Sequence, residues 1–454
     1  MLYNVKDKPP FGKTLVFALQ QLLAIMAATI AVPASVGYGL SSSAALFGAG
    51  VGTLVYLLLT KFKSPVFLGS SFSFIGSMLV AFVGAGSMAL GYLGLIIGAA
   101  FAALVYVAIA IVVKFCGTAW IDKIMPPVVI GPTVAVIGLS LSSYAVSLMT
   151  SGNHIVDGEP TAYPTILIFC ATATIFAVTI ASVYGKKMVK LIPFVIGIAA
   201  GYILAAVFTI IGNATGVDGL KIIDFTPFEE LFADGFKISS IIRLPDFTFL
   251  TAVKGIKEID FSYIIILLVA YVPVAFVVFA EHLADHKNIS SIIGTDLTKD
   301  PGLHRTLLGD GIGSLAGAFF GGCPNTTYGE SIACVAITRN ASVVSILYAA
   351  LMTIIVSFFG PFVAFLETIP SCVMGGVCLT LYGFIAVSGL KMIQPLDLGD
   401  SRNLFVISVI LVSGIGGLTI SFGDVTLTNV AYALILGIIV NLVLSRKKNK
   451  EEEQ

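Results

Sequence analysis

The chain reads as an all-α polytopic membrane protein. Fourteen transmembrane segments are expected as a seven-plus-seven inverted repeat, with segments 3 and 10 half strand and half helix. Three observations predict this. The composition is 57% hydrophobic and only 11% charged, with a mean hydropathy of +1.02, whereas soluble domains carry about 25% charged residues. Apolar stretches long enough to cross about 30 Å of hydrocarbon recur along the whole length. One long hydrophilic stretch, 213–260, divides them into equal halves.

The spans are expected at 14–35, 45–61, 66–83, 89–113, 126–149, 163–184 and 192–212, then at 261–285, 307–322, 324–338, 342–365, 369–389, 403–422 and 425–445. Basic residues test the count, because Lys and Arg concentrate in short cytoplasmic loops. With the amino terminus inside, alternate loops collect 20 of the 25 Lys and Arg, from Lys6, Lys8 and Lys13 to Arg446, Lys447, Lys448 and Lys450. The other five all fall in 213–260, where length relaxes the rule. Both termini are therefore expected in the cytoplasm. The first apolar segment follows three Lys and contains MAATIAVPA, but its length and the many later spans favour an uncleaved first span over a signal peptide. The six Cys show no CxxC spacing and read as small buried hydrophobes. The acidic tail Glu451–Glu453 reads as a solvated end, and a net charge of zero gives no sign of a nucleic-acid partner.

Seven spans per half insert the second half upside down relative to the first, and such folds place their sites at discontinuous helices near the midplane. Two segments stand out at matching places: Pro65–Phe74, PVFLGSSFSF, and Pro324–Ile332, PNTTYGESI. Their Gly, Ser, Thr and Asn compete with helical backbone bonding, and the Ser/Phe alternation at 70–74 favours a strand. Unpaired backbone is prohibitive in lipid, so the two pieces are expected to meet antiparallel. Each would continue as a half-helix, with N–H groups near Phe74 and Glu330 aimed at a ligand. Ordinary helices packed through small residues are the alternative.

Two carboxylates lie where hydrocarbon is expected. Glu281 closes the uncharged run Phe261–Ala280, and Glu330 lies within CPNTTYGESIACVAITR. A carboxylate at mid-membrane costs ~2.5–3.5 kcal/mol, so such residues face a protein interior or a watery cavity. In EHLADH, residues 281–286, a helix puts Glu281 and Asp285 on one stripe and His282 and His286 on another. The acidic stripe can point inward while the His stripe lines a cytoplasmic vestibule. His282 and His286 have the spacing of two zinc ligands on one helix, but the only other His, His154 and His304, fall in expected loops, so no metal and no cofactor is assigned. Asp310 serves either helix packing or coupling. Around Glu330 stand Thr326, Thr327, Tyr328, Gly329 and Ser331. An acid that keeps its proton both donates and accepts, which suits a flat amide-like ligand such as a nucleobase. Gly329 lets that ligand approach the backbone, and Phe72 and Tyr328 offer ring faces.

PNTTYGESIACVAITR, AEHLADH, DPGLHR (300–305) and LGSSFSF together resemble the nucleobase–ascorbate transporter family, in particular its bacterial uracil permease branch, over essentially the whole chain. The resemblance implies a core domain, 1–125 with 261–365, a gate domain, 126–212 with 366–454, and an extracytoplasmic loop, 213–260. It implies a homodimer through the gate domain in a bacterial inner membrane, importing uracil with protons. A purine such as xanthine, or passive facilitation, is the alternative. By position, Glu281 and Glu330 correspond to the acids that bind the base, with Phe72, Tyr328, Gly329, Tyr382 and Ala28 around it. Proton coupling falls on Glu281, Asp285 and His286. The family signature Gln/Glu-Asn-x-Gly-x4-Thr-Arg is met by Glu330, Thr338 and Arg339, while Ser331 and Ala333 depart from it. The uracil branch tends to have His four residues after its first Glu, where this chain has Asp285. Rival classes are a related-fold anion carrier and an intramembrane metal hydrolase built on EHLADH.

Overall fold

The computed structural model describes residues 1–451 except 153, 154, 157, 158, 161, 187, 234, 423 and 424. His154, Lys187 and the tail residues Glu452 and Glu453 thus lie outside the described residues. The first half begins with α1 (Phe11–Val36), α2 (Ser42–Leu59), the short strand β1 (Leu68–Ser70), α3 (Ile75–Val83) and α4 (Met88–Cys116). It continues through α5 (Ala119–Ile124), α6 (Pro127–Ser140), α7 (Ser142–Met149), a hairpin of β2 (Ile155–Val156) and β3 (Glu159–Pro160), α8 (Pro164–Tyr184), α9 (Met188–Leu191) and α10 (Pro193–Thr215). Ser41 and Ser87 accept hydrogen bonds from the first turns of α2 and α4, satisfying donors that a helix leaves unpaired.

Short helices α11 (Thr226–Phe232), α12 (Ile238–Ile241) and α13 (Phe249–Ala252) occupy the long connection. The second half repeats the plan with α14 (Phe261–Ile293), α15 (Leu303–Phe319), β4 (Asn325–Thr327), α16 (Gly329–Thr338) and α17 (Val343–Ser357). After them come α18 (Gly360–Glu367), α19 (Ser371–Ile393), α20 (Ser401–Ile415), a hairpin of β5 (Ile420–Phe422) and β6 (Val425–Leu427), and α21 (Asn429–Glu451). Among the described residues, eight helices are long and apolar enough to cross a membrane, and five shorter apolar helices accompany them.

The helices pack as two groups. In one, α15 lies on α2 and α4, α17 on α1 and α2, and α14 on α4. In the other, α19 lies on α6, α7 and α8, α10 on α8, and α20 on α6 and α21. The contact of α2 with α15 is close because glycines meet across it: a Cβ on Gly48 would fall 2.7 Å from Gly317 O, and one on Gly52 2.7 Å from Gly313 O. Small residues let backbones approach where lipid provides no hydrophobic drive between helices.

The two odd segments do meet. β1 pairs antiparallel with β4, Leu68 facing Thr327, Gly69 facing Thr326 and Ser70 facing Asn325. Each strand leads into a half-helix, α3 or α16. The strand is shorter than the Ser/Phe alternation suggested: it stops at Ser70, and Phe72–Phe74 is a 3-10 turn. Other expectations are corrected. The segment 403–422 is not one helix, because α20 ends at Ile415 before Gly416 and Gly417, the latter at φ +70°. The span expected to end at 285 runs on to Ile293, because the polar side chains at 282, 285 and 286 find protein partners. Cys116 is exposed, while the other five Cys are buried. Within the long connection, α11 over Thr226–Phe232 packs on α18.

Candidate functional site

A cavity of about 450 Å³ lies between the two helix groups. One wall comes from α1, α14, β4 and α16, and the other from α6, α10 and α19. Three carboxylates reach it: Glu281 and Asp285, one turn apart on α14, and Glu330 in the first turn of α16. Each is partly buried. Ser73 donates to Glu281 Oε2 at 3.2 Å, and Thr327 donates to Asp285 Oδ2 at 2.7 Å. The two broken segments therefore hold the acids of α14 in place, with one hydroxyl from the turn after β1 and one from β4.

Local sequence explains the position of Glu330. Tyr328 has extended backbone and no side chain caps α16, so its first turn begins at Gly329 on the cavity wall. A Cβ on Gly329 would meet nothing within 4 Å. The wall is open at that backbone. Tyr328 is fixed from behind: its hydroxyl donates to Ser70 O at 2.7 Å, and a Cβ on Gly69 would fall 2.4 Å from its ring. Phe72 also lines the cavity. Glu281, Asp285, Glu330, Gly329, Tyr328 and Phe72 are thus brought together.

Three other expected residues are not in that lining. Ala28 is fully buried in α1, between Ala24, which lines the cavity, and Ile30 and Ala34, which line a second cavity of about 390 Å³. Tyr382 is buried too. Its hydroxyl and that of Ser35 are 3.0 Å apart, and its ring meets Phe72 edge-on at 5.5 Å. Both residues belong to the packed layer between the cavities. His286 faces away from the acids, and the expectation that the His stripe lines a vestibule is corrected: His282 and His286 are both fully buried. Buried imidazoles need partners, and these have Asp310, Thr306 and Tyr56. Their nitrogens are turned to different partners, and among the described residues no three His, Cys, Asp or Glu group closely enough to hold a metal ion.

Sequence reasoning missed Ser73 and the two lysines at the cavity wall, Lys190 and Lys391. The lysines carried a signal, since both stand in loops expected on one side of the membrane; nothing local marked Ser73 out from Ser70 and Ser71. Ala333 and Cys334 also line the cavity, so one of the two departures from the family signature touches the ligand space. Ser331 turns away, accepting from Phe67 N at 3.1 Å.

A model of the permease family matches residues 12–422. The uracil permease of Bacillus caldolyticus is 37% identical over 99% of this chain and 96% of its own length. That of Bacillus subtilis (strain 168) is 36% identical over 99% and 97%, and that of Escherichia coli (strain K12) 34% identical over 97% and 93%. Among solved structures, the transmembrane domain of the cyanobacterial bicarbonate transporter BicA aligns with a TM-score of 0.61 at 13% identity, covering 96% of this chain and 98% of that one. Murine Solute Carrier 26 family member A9, an anion transporter in its inward-facing state, aligns with a TM-score of 0.66 at 14% identity, covering 98% and 69%. At such identities the likeness is one of fold: these are transporter membrane domains with the same inverted-repeat architecture.

Proposed function

The chain belongs to the nucleobase–ascorbate transporter family, and from that membership and its cavity we propose that it imports a nucleobase, uracil foremost, together with protons. It is a membrane transporter and not an enzyme. The observation that carries the reading is the meeting of Glu281 and Asp285 of α14 with Glu330 of α16 in one cavity between two helix groups. In the proposal Glu281 and Glu330 hydrogen-bond the base, and Phe72 and Tyr328 present ring faces. Gly329 lets the base reach the backbone. Protonation of Glu281, with Asp285 beside it, permits a neutral base to bind without a bare charge against it.

The domains proposed are a core, 1–125 with 261–365, and a gate, 126–212 with 366–454, joined by the loop 213–260. The packing of the helices in two groups supports this division, with the boundary at 365 falling inside α18. Lys190 and Lys391 at the cavity wall fit loops on the cytoplasmic side, with both termini there and the cavity facing inward. Alternating access then consists of the core rocking on the gate until the layer containing Ala28 and Tyr382 parts and the second cavity joins the first. The gate domain is assigned the homodimer contact, in a bacterial inner membrane.

Labelled uracil accumulation in proteoliposomes under an inward proton gradient tests this. Accumulation that a protonophore abolishes is expected. Glu281→Ala and Glu330→Ala should each cut it about tenfold, since leaving a buried polar group of the base unpaired costs ~1–3 kcal/mol. Equilibration without accumulation would remove the coupling, and preferential competition by unlabelled xanthine would replace uracil with a purine.

A further inference from the structure

Behind the strand pair, away from the substrate cavity, is a space of about 10 Å³ bordered by Tyr106 of α4, Asp310 and Ser314 of α15, and Asn325 of β4. It has room for about one water molecule. The Tyr106 hydroxyl, Asp310 Oδ1, Ser314 Oγ and Asn325 Oδ1 are all buried without a hydrogen bond, as is Thr326 Oγ1. The hydroxyls of Tyr106 and Thr326 stand near enough to Asp310 to interact with its carboxyl yet close no bond to it. Buried polar atoms are nearly always satisfied, and these five in one place are donors and acceptors that a function could use.

The other oxygen of Asp310 shows what that function is. Oδ2 lies 2.7 Å from His282 Nδ1. Thr306 gives its one hydroxyl hydrogen to Leu303 O at 3.0 Å, so His282 Nε2, 3.0 Å from Thr306 Oγ1, must carry hydrogen itself. One more hydrogen has to lie between Nδ1 and Oδ2, because two bare lone pairs would repel at that distance. The pair therefore holds one proton with no net charge, whichever atom bears it. His286 packs beside it. Its Nδ1 donates to His282 O at 2.8 Å, and its Nε2 lies 2.7 Å from the Tyr56 hydroxyl. The two imidazoles stack with centroids 3.9 Å apart, an arrangement that disfavours a second positive charge.

We propose that Asp310 and His282 form a second proton-holding site, outside the substrate cavity, which carries one proton in the state seen here and is emptied during the transport cycle. On emptying, the proton leaves, His282 stays neutral and Asp310 becomes a carboxylate, and the 2.7 Å contact must lengthen because a bare Nδ1 then faces a bare Oδ2. The hydroxyls of Tyr106, Ser314 and Thr326, which have no acceptor now, turn to donate to it. Glu281 and Asp285 of α14, which face the substrate cavity, stand near enough to feel the charge of Asp310, as do Tyr106 of α4 and Tyr56 of α2. A proton in either carboxyl cluster is thus felt by the other. Thr326 and Thr327 link the two clusters within β4, since Thr327 bonds Asp285 and Thr326 adjoins Asp310. The proposal rests on proton coupling as read above.

Asp310→Asn in proteoliposomes tests it, with net accumulation under a proton gradient compared against uracil–uracil exchange at equal pH, which needs no net proton movement. The expected result is accumulation reduced at least tenfold while exchange persists. Tyr106→Phe keeps the ring beside His282 but removes one hydroxyl, and should lower the accumulation ratio severalfold with exchange retained. Wild-type accumulation in both variants would overturn the proposal. So would parallel loss of exchange and accumulation in both, which would mark Asp310 and Tyr106 as structural. Failure of the unmutated protein to accumulate would instead sink the coupled reading itself.

Discussion

Two glycines on either side of Tyr328 separate packing from binding at the scale of single residues. Gly69 lies under the Tyr328 ring, where a methyl would fall 2.4 Å from it, while Gly329 opens onto the cavity with nothing within 4 Å. Gly69→Ala should destabilise the protein by about 1–3 kcal/mol through overpacking, read as a lowered melting temperature in detergent. Gly329→Ala should melt like the parent but weaken uracil binding, because its methyl takes space at the proposed binding wall. A KM raised about tenfold corresponds to the ~1–3 kcal/mol that one methyl-sized change in a pocket produces. Equal effects of the two substitutions on melting would refute the distinction. The acids at 281 and 330 were legible from sequence because charge in hydrocarbon is expensive wherever it occurs. The hydroxyl partners Ser73 and Thr327 were not, since a serine in a run of serines shows no preference until its neighbour across the fold is known.

At the scale of elements, the strand pair depends on the glycine contact behind it. Asn325 of β4 donates to Gly48 O at 3.0 Å, and a Cβ on Gly52 would strike Asn325 Nδ2 at 2.4 Å. The strands are thus seated in the groove where α2 and α15 approach most closely. Gly313→Val should pry that groove apart, its Cβ beginning 2.7 Å from Gly52 O, and the expected outcome is loss of most folded protein on size exclusion in detergent. A monodisperse, active Gly313→Val protein would show that the contact is dispensable. The amino-terminal segment is held in a comparable way. Tyr3 bridges to Asn340 and Ala341 N donates to Tyr3 O, so the segment before α1 lies against the turn that follows α16. Nothing in its sequence announced this, because backbone pairing leaves no side-chain signature.

At the scale of the whole molecule, two cavities lie on either side of a packed layer that contains Ala28 and Tyr382. If the larger one opens to the cytoplasm, Ala333 on its wall is reachable from that side alone. A cysteine placed there by Ala333→Cys, with exposed Cys116 and cavity-lining Cys334 changed to Ser, should react with an impermeant maleimide in inside-out vesicles, and uracil should slow the labelling. Faster labelling in right-side-out vesicles would reverse the orientation. The two departures from the family signature separate at this scale as well: Ala333 borders the ligand space, whereas Ser331 braces the backbone at Phe67.

By itself the sequence determined that the chain lives in a bilayer, that it folds as an inverted repeat with two broken segments, and that Glu281 and Glu330 face a polar cavity and not lipid. Those features follow from hydropathy, from loop charge and from the cost of unpaired backbone and bare charge in hydrocarbon, all of which act locally along the chain. Only the tertiary structure decided that Asp285 turns to the cavity while His286, one residue on, turns to Tyr56 and away from it. It also decided that Asp310 pairs with His282 and that Ala28 and Tyr382 sit in the partition instead of the wall. The helical pattern gives the faces of a helix but not their neighbours, which depend on how helices far apart in the chain pack together.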